Sequence, residues 1–263
     1  MYIFKEFTPA IGYARDLLRN APLVHTNYWQ GVDISKMPEA ATYEVLHYSL
    51  RVPMSYGFDL DAYRKDIAPN LPWADDHFLE RVCGEAINPG VEWKRWPWGQ
   101  NAQKFLDERG QFNHNYMERM WPKFAGMFDG PTMTAEDWRH PEIGDHAAEL
   151  EGWAPHQGIR YQYGDALDVA KLLANDPLTR QAYLPIWFPE DTGGGAKRAP
   201  CTLGYHFIVR PDREGVPRLD ITYYIRSCDY TRHFRDDIYL TVRLALWMRS
   251  EERRVGKECT IQC

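Results

Sequence analysis

Residues 199–248 read APCTLGYHFIVRPDREGVPRLDITYYIRSCDYTRHFRDDIYLTVRLALWM, and the periodicity of this stretch decides the fold class. Polar and apolar residues alternate through Tyr205–Val209 and again through Leu219–Ile225, the period of half-buried strands. Pro211 to Pro217, rich in Pro, Gly and charge, reads as the hairpin connection between them. From Phe234 the period lengthens: Ile238, Val242, Ala245 and Leu246 fall at helical spacing. A cysteine begins the first strand, and Arg226, Ser227 and acidic residues stand where the second gives way to the helix. The pattern predicts an α/β (α+β) chain with chemistry gathered at one sheet end.

Working outward, 263 residues with 44% apolar and 14% aromatic content suffice to bury a sizeable core. A net charge of −6 argues against nucleic acid as a partner, although a single phosphate needs only a few local arginines. The cysteines Cys83, Cys201, Cys228, Cys259 and Cys263 are odd in number and include no C-x-x-C pair, which points to a reducing, cytoplasmic setting. No run of about 18 apolar residues occurs, so no membrane span is expected. The histidines are scattered without metal-ligand spacing, so no metal is expected.

Along the chain, Tyr13–Arg19 reads as a short helix and Thr42–Val52 (TYEVLHYSLRV) as a strand with one apolar face. Asn88-Pro89-Gly90 is a turn introducing a helix, with Glu92 one turn in. Trp96 and Trp98 flank a proline in an exposed-looking loop. Gly130–Gly158 is a polar surface excursion. Asp165–Ala174 is an amphipathic helix capped by Asp165, with Leu167, Ala170 and Leu173 or Leu172 on one face. Thr179-Arg180 opens a further strand, and Gly193–Gly195 is a flexible loop without a phosphate-binding context. After Met248 the amphipathic period stops. The helix is expected to break there, leaving residues 1–249 as one domain and 250–263 as a non-native tail.

Pro200-Cys201, the aromatic strand after it, Arg226-Ser227-Cys228-Asp229 and the helix from Asp237 resemble the thymidylate synthase / deoxycytidylate hydroxymethylase family, in its divergent phage-type branch. The likeness continues in order over Asn88–Trp121 and Asp165–Trp187. It implies a mixed sheet covered by helices and a homodimer paired through the sheet face. It also implies one-carbon transfer to carbon 5 of a pyrimidine deoxynucleoside monophosphate from 5,10-methylenetetrahydrofolate. By the same resemblance Cys201 is the nucleophile, and Glu92, with Glu85 as competitor, orders water and moves protons. Tyr116 assists proton removal from carbon 5, and Arg226 and Ser227 hold the phosphate. Arg180 reaches the other subunit's phosphate, Asp229 bonds the pterin, and Trp96 and Trp98 stack on the folate ring. Departures accompany the likeness. Gln30 and Gln181 stand where the family has arginines, with Arg19 and Lys36 as possible substitutes for the first. The family's segments beyond the helix are missing after Met248, so the resemblance implies a truncated member.

The chemistry explains the residue types. A thiolate adds to carbon 6 of the pyrimidine and makes carbon 5 nucleophilic, and it is also a good leaving group. A buried structural cysteine is the competing reading for Cys201, and a solvated helix-face acid the competing reading for Glu92. Asp237 occupies the base-reading position, where the family's synthases carry Asn. A carboxyl that accepts from an amine fits cytosine, so dCMP is the expected substrate and hydroxymethylation the expected outcome. The adjacent Asp236 leaves a one-residue alternative open, and Thr202 stands where synthases usually have His. Methylation of dUMP is the runner-up, and a catalytically silent nucleotide-binding protein is the alternative of another class.

Overall fold

A computed structural model describes residues 1–29, 32–108, 110–112, 114–122, 164–192 and 199–260, with only the backbone for 251–260. These residues are mixed α/β. In chain order the strands are β1 (Tyr2–Ile3), β2 (Leu23–Val24), β3 (Tyr28–Trp29), β4 (Val32–Asp33), β5 (Thr42–Tyr43), β6 (Leu50–Arg51), β7 (Tyr183–Pro185), β8 (Thr202–Pro211) and β9 (Pro217–Ile225). The α-helices are α1 (Phe7–Arg19), α2 (Leu60–Ile67), α3 (Trp73–Arg81), α4 (Gly99–Ala102), α5 (Tyr116–Met120), α6 (Ala166–Asn175) and α7 (Phe234–Thr260). The chain packs as two compact units, Met1–Ala74 with Cys228–Arg243, and Asp75–Ser227 with Leu244–Cys263.

In the first unit α1 and α2 pack together around Phe7, Ile11, Tyr63 and Ile67, all buried. Position Glu6 supplies no side-chain cap to α1. Asp66 of α2 does so instead, accepting from the Phe7 and Thr8 amides at 2.9 and 2.8 Å. The start of α7 is fastened to the same unit. Asp236, 2% exposed, accepts from the Asn70 amide and side chain, both at 2.8 Å. Tyr230 donates to the Ile11 carbonyl at 3.1 Å.

The second unit is built on the antiparallel sheet β7-β8-β9. Tyr205, Phe207 and Val209 alternate onto its buried face, opposite Tyr223, Ile221 and Leu219 of β9. Tyr205 and Tyr223 stack with ring centres 4.9 Å apart. The hairpin turn is organised by Asp212, whose carboxylate accepts from the Glu214 and Val216 amides, each at 2.9 Å. Gly215 takes the left-handed φ of 81° that closes the turn. Gly204 is needed for close approach, because a Cβ there would strike the Tyr183 phenol and the Leu184 carbonyl. The predicted cap of α6 is present as a reciprocal box between Asp165 and Asp168, and Val169, Ala170 and Leu173 are buried beneath it.

Three local expectations are corrected. Thr42–Val52 is not one strand: β5 pairs with β2 and β6 with β1, while His47 between them takes a left-handed φ of 54°. Alternation marks a strand only where a sheet lies beneath it, and here Leu46 is 73% exposed. The turn at 88–90 leads into a single 3-10 turn, Glu92–Lys94, before the short α4. The helix does not break after Met248 but continues to Thr260. That segment is rich in Glu, Arg and Lys, which favour helix without an apolar face, and it contains no proline. Gln30, Gly31, Gly130–Gly158, Gly193–Gly195 and Cys263 lie outside the described residues.

Candidate functional site

The β8–β9 register brings Cys201 and Arg226 together. The Arg226 amide donates to the Cys201 carbonyl at 2.9 Å, directly beyond the Thr202–Ile225 pair. The Arg226 guanidinium folds back over the chain preceding the cysteine. Its Nε donates to the Pro200 carbonyl and its Nη2 to the Ala199 carbonyl, each at 2.9 Å. It also lies 5.7 Å from the centre of the Trp187 ring. Cys201 is half-buried and Ser227 exposed. Thr202 is buried, its hydroxyl sharing a 2.9 Å hydrogen bond with Tyr223.

Glu92 and Tyr116 are gathered around α3. Glu92 is 7% exposed and paired with Arg95 at 3.0 Å, whereas the competing Glu85 is exposed. Tyr116 opens α5, with the Arg81 guanidinium 4.3 Å from its ring centre. Trp96 is half-buried and Trp98 is 37% exposed. Arg180 is exposed, and its carbonyl is 3.0 Å from the His206 ring on the outer face of the sheet.

Asp229 and Asp237 belong to the first unit. Asp229 is exposed and organises the turn into α7, accepting from the Thr231 amide at 2.8 Å and hydroxyl at 2.7 Å. The half-buried Asp237 has the Cys228 sulfur 3.3 Å from Oδ2. Asp236, by contrast, is committed to Asn70.

The sequence reading missed a buried polar trio on α3. His77 Nδ1 is 3.1 Å from Glu80 Oε2, and Arg81 Nε donates to His77 Nε2 at 2.9 Å. Burial, followed by the Arg81 charge, pushes the His77 pKa down to about 4. Burial alone would raise the Glu80 carboxyl. Hydrogen bonds from His77 and from the Glu92 and Val91 amides outweigh it, and the pKa falls below the ordinary value. The available signal was the spacing i, i+3, i+4, which sets His77, Glu80 and Arg81 on one helix face.

Among the described residues no group of three or more His, Cys, Asp or Glu is gathered as metal ligands, and no helix is long and apolar enough to cross a membrane. In comparison with known proteins, the chain matches no family model and no curated sequence.

Proposed function

We propose that this chain is a one-carbon transferase acting at carbon 5 of a pyrimidine deoxynucleoside monophosphate, a member of the thymidylate synthase / deoxycytidylate hydroxymethylase family. The observation that carries this reading is the cross-strand pairing of Cys201 with Arg226. A guanidinium at the nucleophile's strand end favours a thiolate and recognises a phosphate. Two of its five N–H groups hold the Pro200 and Ala199 carbonyls, and the others are the donors assigned to the nucleotide. Ser227, exposed beside it, adds a hydroxyl.

The Cys201 thiolate adds to carbon 6, and the ring double-bond pair moves to carbon 5. 5,10-Methylenetetrahydrofolate would supply the one-carbon unit that carbon 5 takes up. The carbon 5 proton then leaves to water ordered by Glu92, assisted by the Tyr116 hydroxyl, and the pair it leaves behind would form the exocyclic double bond as the carbon–nitrogen bond breaks and tetrahydrofolate departs with that bond's electrons. Water adds to the resulting exocyclic methylene, and expulsion of the Cys201 thiolate restores the aromatic ring. Asp237 reads the base, since Asp236 is spent on Asn70. The exposed Asp229 carboxylate and the partly exposed Trp98 indole have the acceptor and flat apolar face that a pterin requires.

Homodimerisation through the sheet is part of the same reading. The outer face carries Tyr183 and Tyr224, 41% and 44% exposed. With Leu203 and His206 they line a shallow depression of about 430 Å³. The exposed Arg180, whose carbonyl lies 3.0 Å from the His206 ring, is assigned to the second copy's phosphate.

Tritium release from carbon 5 of labelled dCMP and dUMP tests the reading. Release from dCMP that Cys201→Ser abolishes is the expected result, and release from neither substrate favours the silent nucleotide-binding alternative. Asp237→Asn should shift the preference toward dUMP by roughly 10²- to 10⁴-fold. An unchanged ratio would remove dCMP as the assigned substrate and leave dUMP methylation.

A further inference from the structure

Glu92 and Tyr116 stand on different elements, yet both are held by the polar trio on α3. An arginine Nε is always a donor, so the His77 Nε2 that Arg81 reaches at 2.9 Å must carry the lone pair. His77 is therefore neutral, with its proton on Nδ1, from which it donates to Glu80 Oε2 at 3.1 Å. The other Glu80 oxygen accepts the Glu92 amide at 3.2 Å. Gly90 permits this approach, because a Cβ at that position would lie inside the van der Waals envelope of the Glu80 carboxylate. At the far end the Arg81 guanidinium covers the Tyr116 ring at 4.3 Å. The Arg81 carbonyl meanwhile accepts from the Trp121 indole at 2.9 Å. His77, Glu80 and Arg81 are each no more than 9% exposed. Buried ionic networks are poor sources of stability, so this one is better explained by the positions it sets.

We propose that Glu80, His77 and Arg81 are positioning residues: one buried chain of hydrogen bonds fixes the Glu92 turn at one end and, through the Arg81 guanidinium stacked on it, the Tyr116 ring at the other, holding the two proton-handling groups in a set relation. The inference rests on the function proposed above, and its test has an arm that does not. Gly90→Ala is the sharpest probe, since the added methyl displaces the carboxylate end of Glu80 while every titratable side chain stays in the sequence. Glu80→Gln and His77→Phe are the companion variants.

In nitrogen-correlated NMR of the whole chain, His77 should carry its proton on Nδ1 and remain neutral at pH 6. Gly90→Ala and Glu80→Gln should both move the Glu92 amide and Tyr116 ring signals. In tritium release the same variants should lose on the order of 10²-fold in kcat, with the nucleotide KM within about twofold of wild type. A proton on Nε2, unmoved Glu92 and Tyr116 signals, or an unchanged kcat in Gly90→Ala would each overturn the proposal. Equal damage to kcat and KM would overturn it too, as a merely structural effect. Wild-type protein without tritium release defeats the functional reading alone, and the network then stands or falls on the NMR result.

Discussion

Cys201 and Arg226 meet because two strands joined by a short turn pair in register, and nothing outside residues 199–226 is needed to align them. The polar cluster around α3 is assembled in the opposite way. His77, Glu80 and Arg81 come from a helix, Glu92 from a 3-10 turn and Tyr116 from α5. Hydrogen bonds among buried polar groups, and the Arg81 contact with the Tyr116 ring, hold that cluster together. Hairpin contacts are inexpensive in chain entropy and tolerate local change. Contacts drawn from several elements depend on each buried partner being present, because an orphaned buried charge is far costlier than a lost surface contact.

The largest expected effect tests that dependence. Arg119 on α5 and Asp191 form a buried bidentate pair at 2.9 and 2.8 Å, and Asp191 also accepts the Phe188 amide at 2.7 Å. Asp191→Ala should cost roughly 3–5 kcal/mol in chemical denaturation, and the double replacement Arg119→Met with Asp191→Leu should recover most of it. A single-variant loss below about 1 kcal/mol would erase the contrast between the two regions.

The pH dependence of His77 comes next. Its folded pKa, about 4, lies below the ordinary imidazole value near 6.5, so the unfolded chain binds the proton first as pH falls. The contribution of His77 is complete above about pH 6.5 and is lost progressively down to about pH 4, to a total of roughly 3 kcal/mol. Urea midpoints of wild type and His77→Phe should converge across that window, and parallel curves would contradict the burial of a neutral ring. Within the hairpin sheet, Gly204→Ala forces a methyl against the Tyr183 phenol and the Leu184 carbonyl and should cost about 1–3 kcal/mol. Asp165→Ala removes the cap of α6 and should cost about 1 kcal/mol, read as a small drop in Tm. If the cap proved costlier than the Gly204 contact, local signals would dominate the second unit more than its packing does.

How much was legible follows the same division. The strands around Tyr205 and Tyr223, the turn between Pro211 and Pro217 and the Asp165 cap could be read because their periodicity and turn chemistry are local. Thr42–Val52 misled because its alternation is strand-like while its ends pair with different partners. The end of α7 misled because loss of an apolar face is not loss of helix propensity. At the candidate site, Cys201 and Arg226 could be placed at one sheet end from the sequence, but the register that pairs them came from the structure. Glu92 could be named, but the carboxylate that grips its backbone could not. Glu80 in the string WADDHFLER looks like any helix-face acid until its neighbours in space are known.

Sequence by itself determined the second unit's hairpin strands and the turn between them, the Asp165 cap, and the gathering of a cysteine and an arginine at one sheet end. These follow from periods of two and 3.6 residues and from side chains bonding to backbone a few positions away. Tertiary structure alone decided which acids are buried and what each one holds: Asp236 on Asn70, Glu80 under Gly90, Asp191 against Arg119. A carboxylate has the same composition in water as in a core. Its charge, its partners and its role are set by desolvation and by donors that arrive from distant parts of the chain.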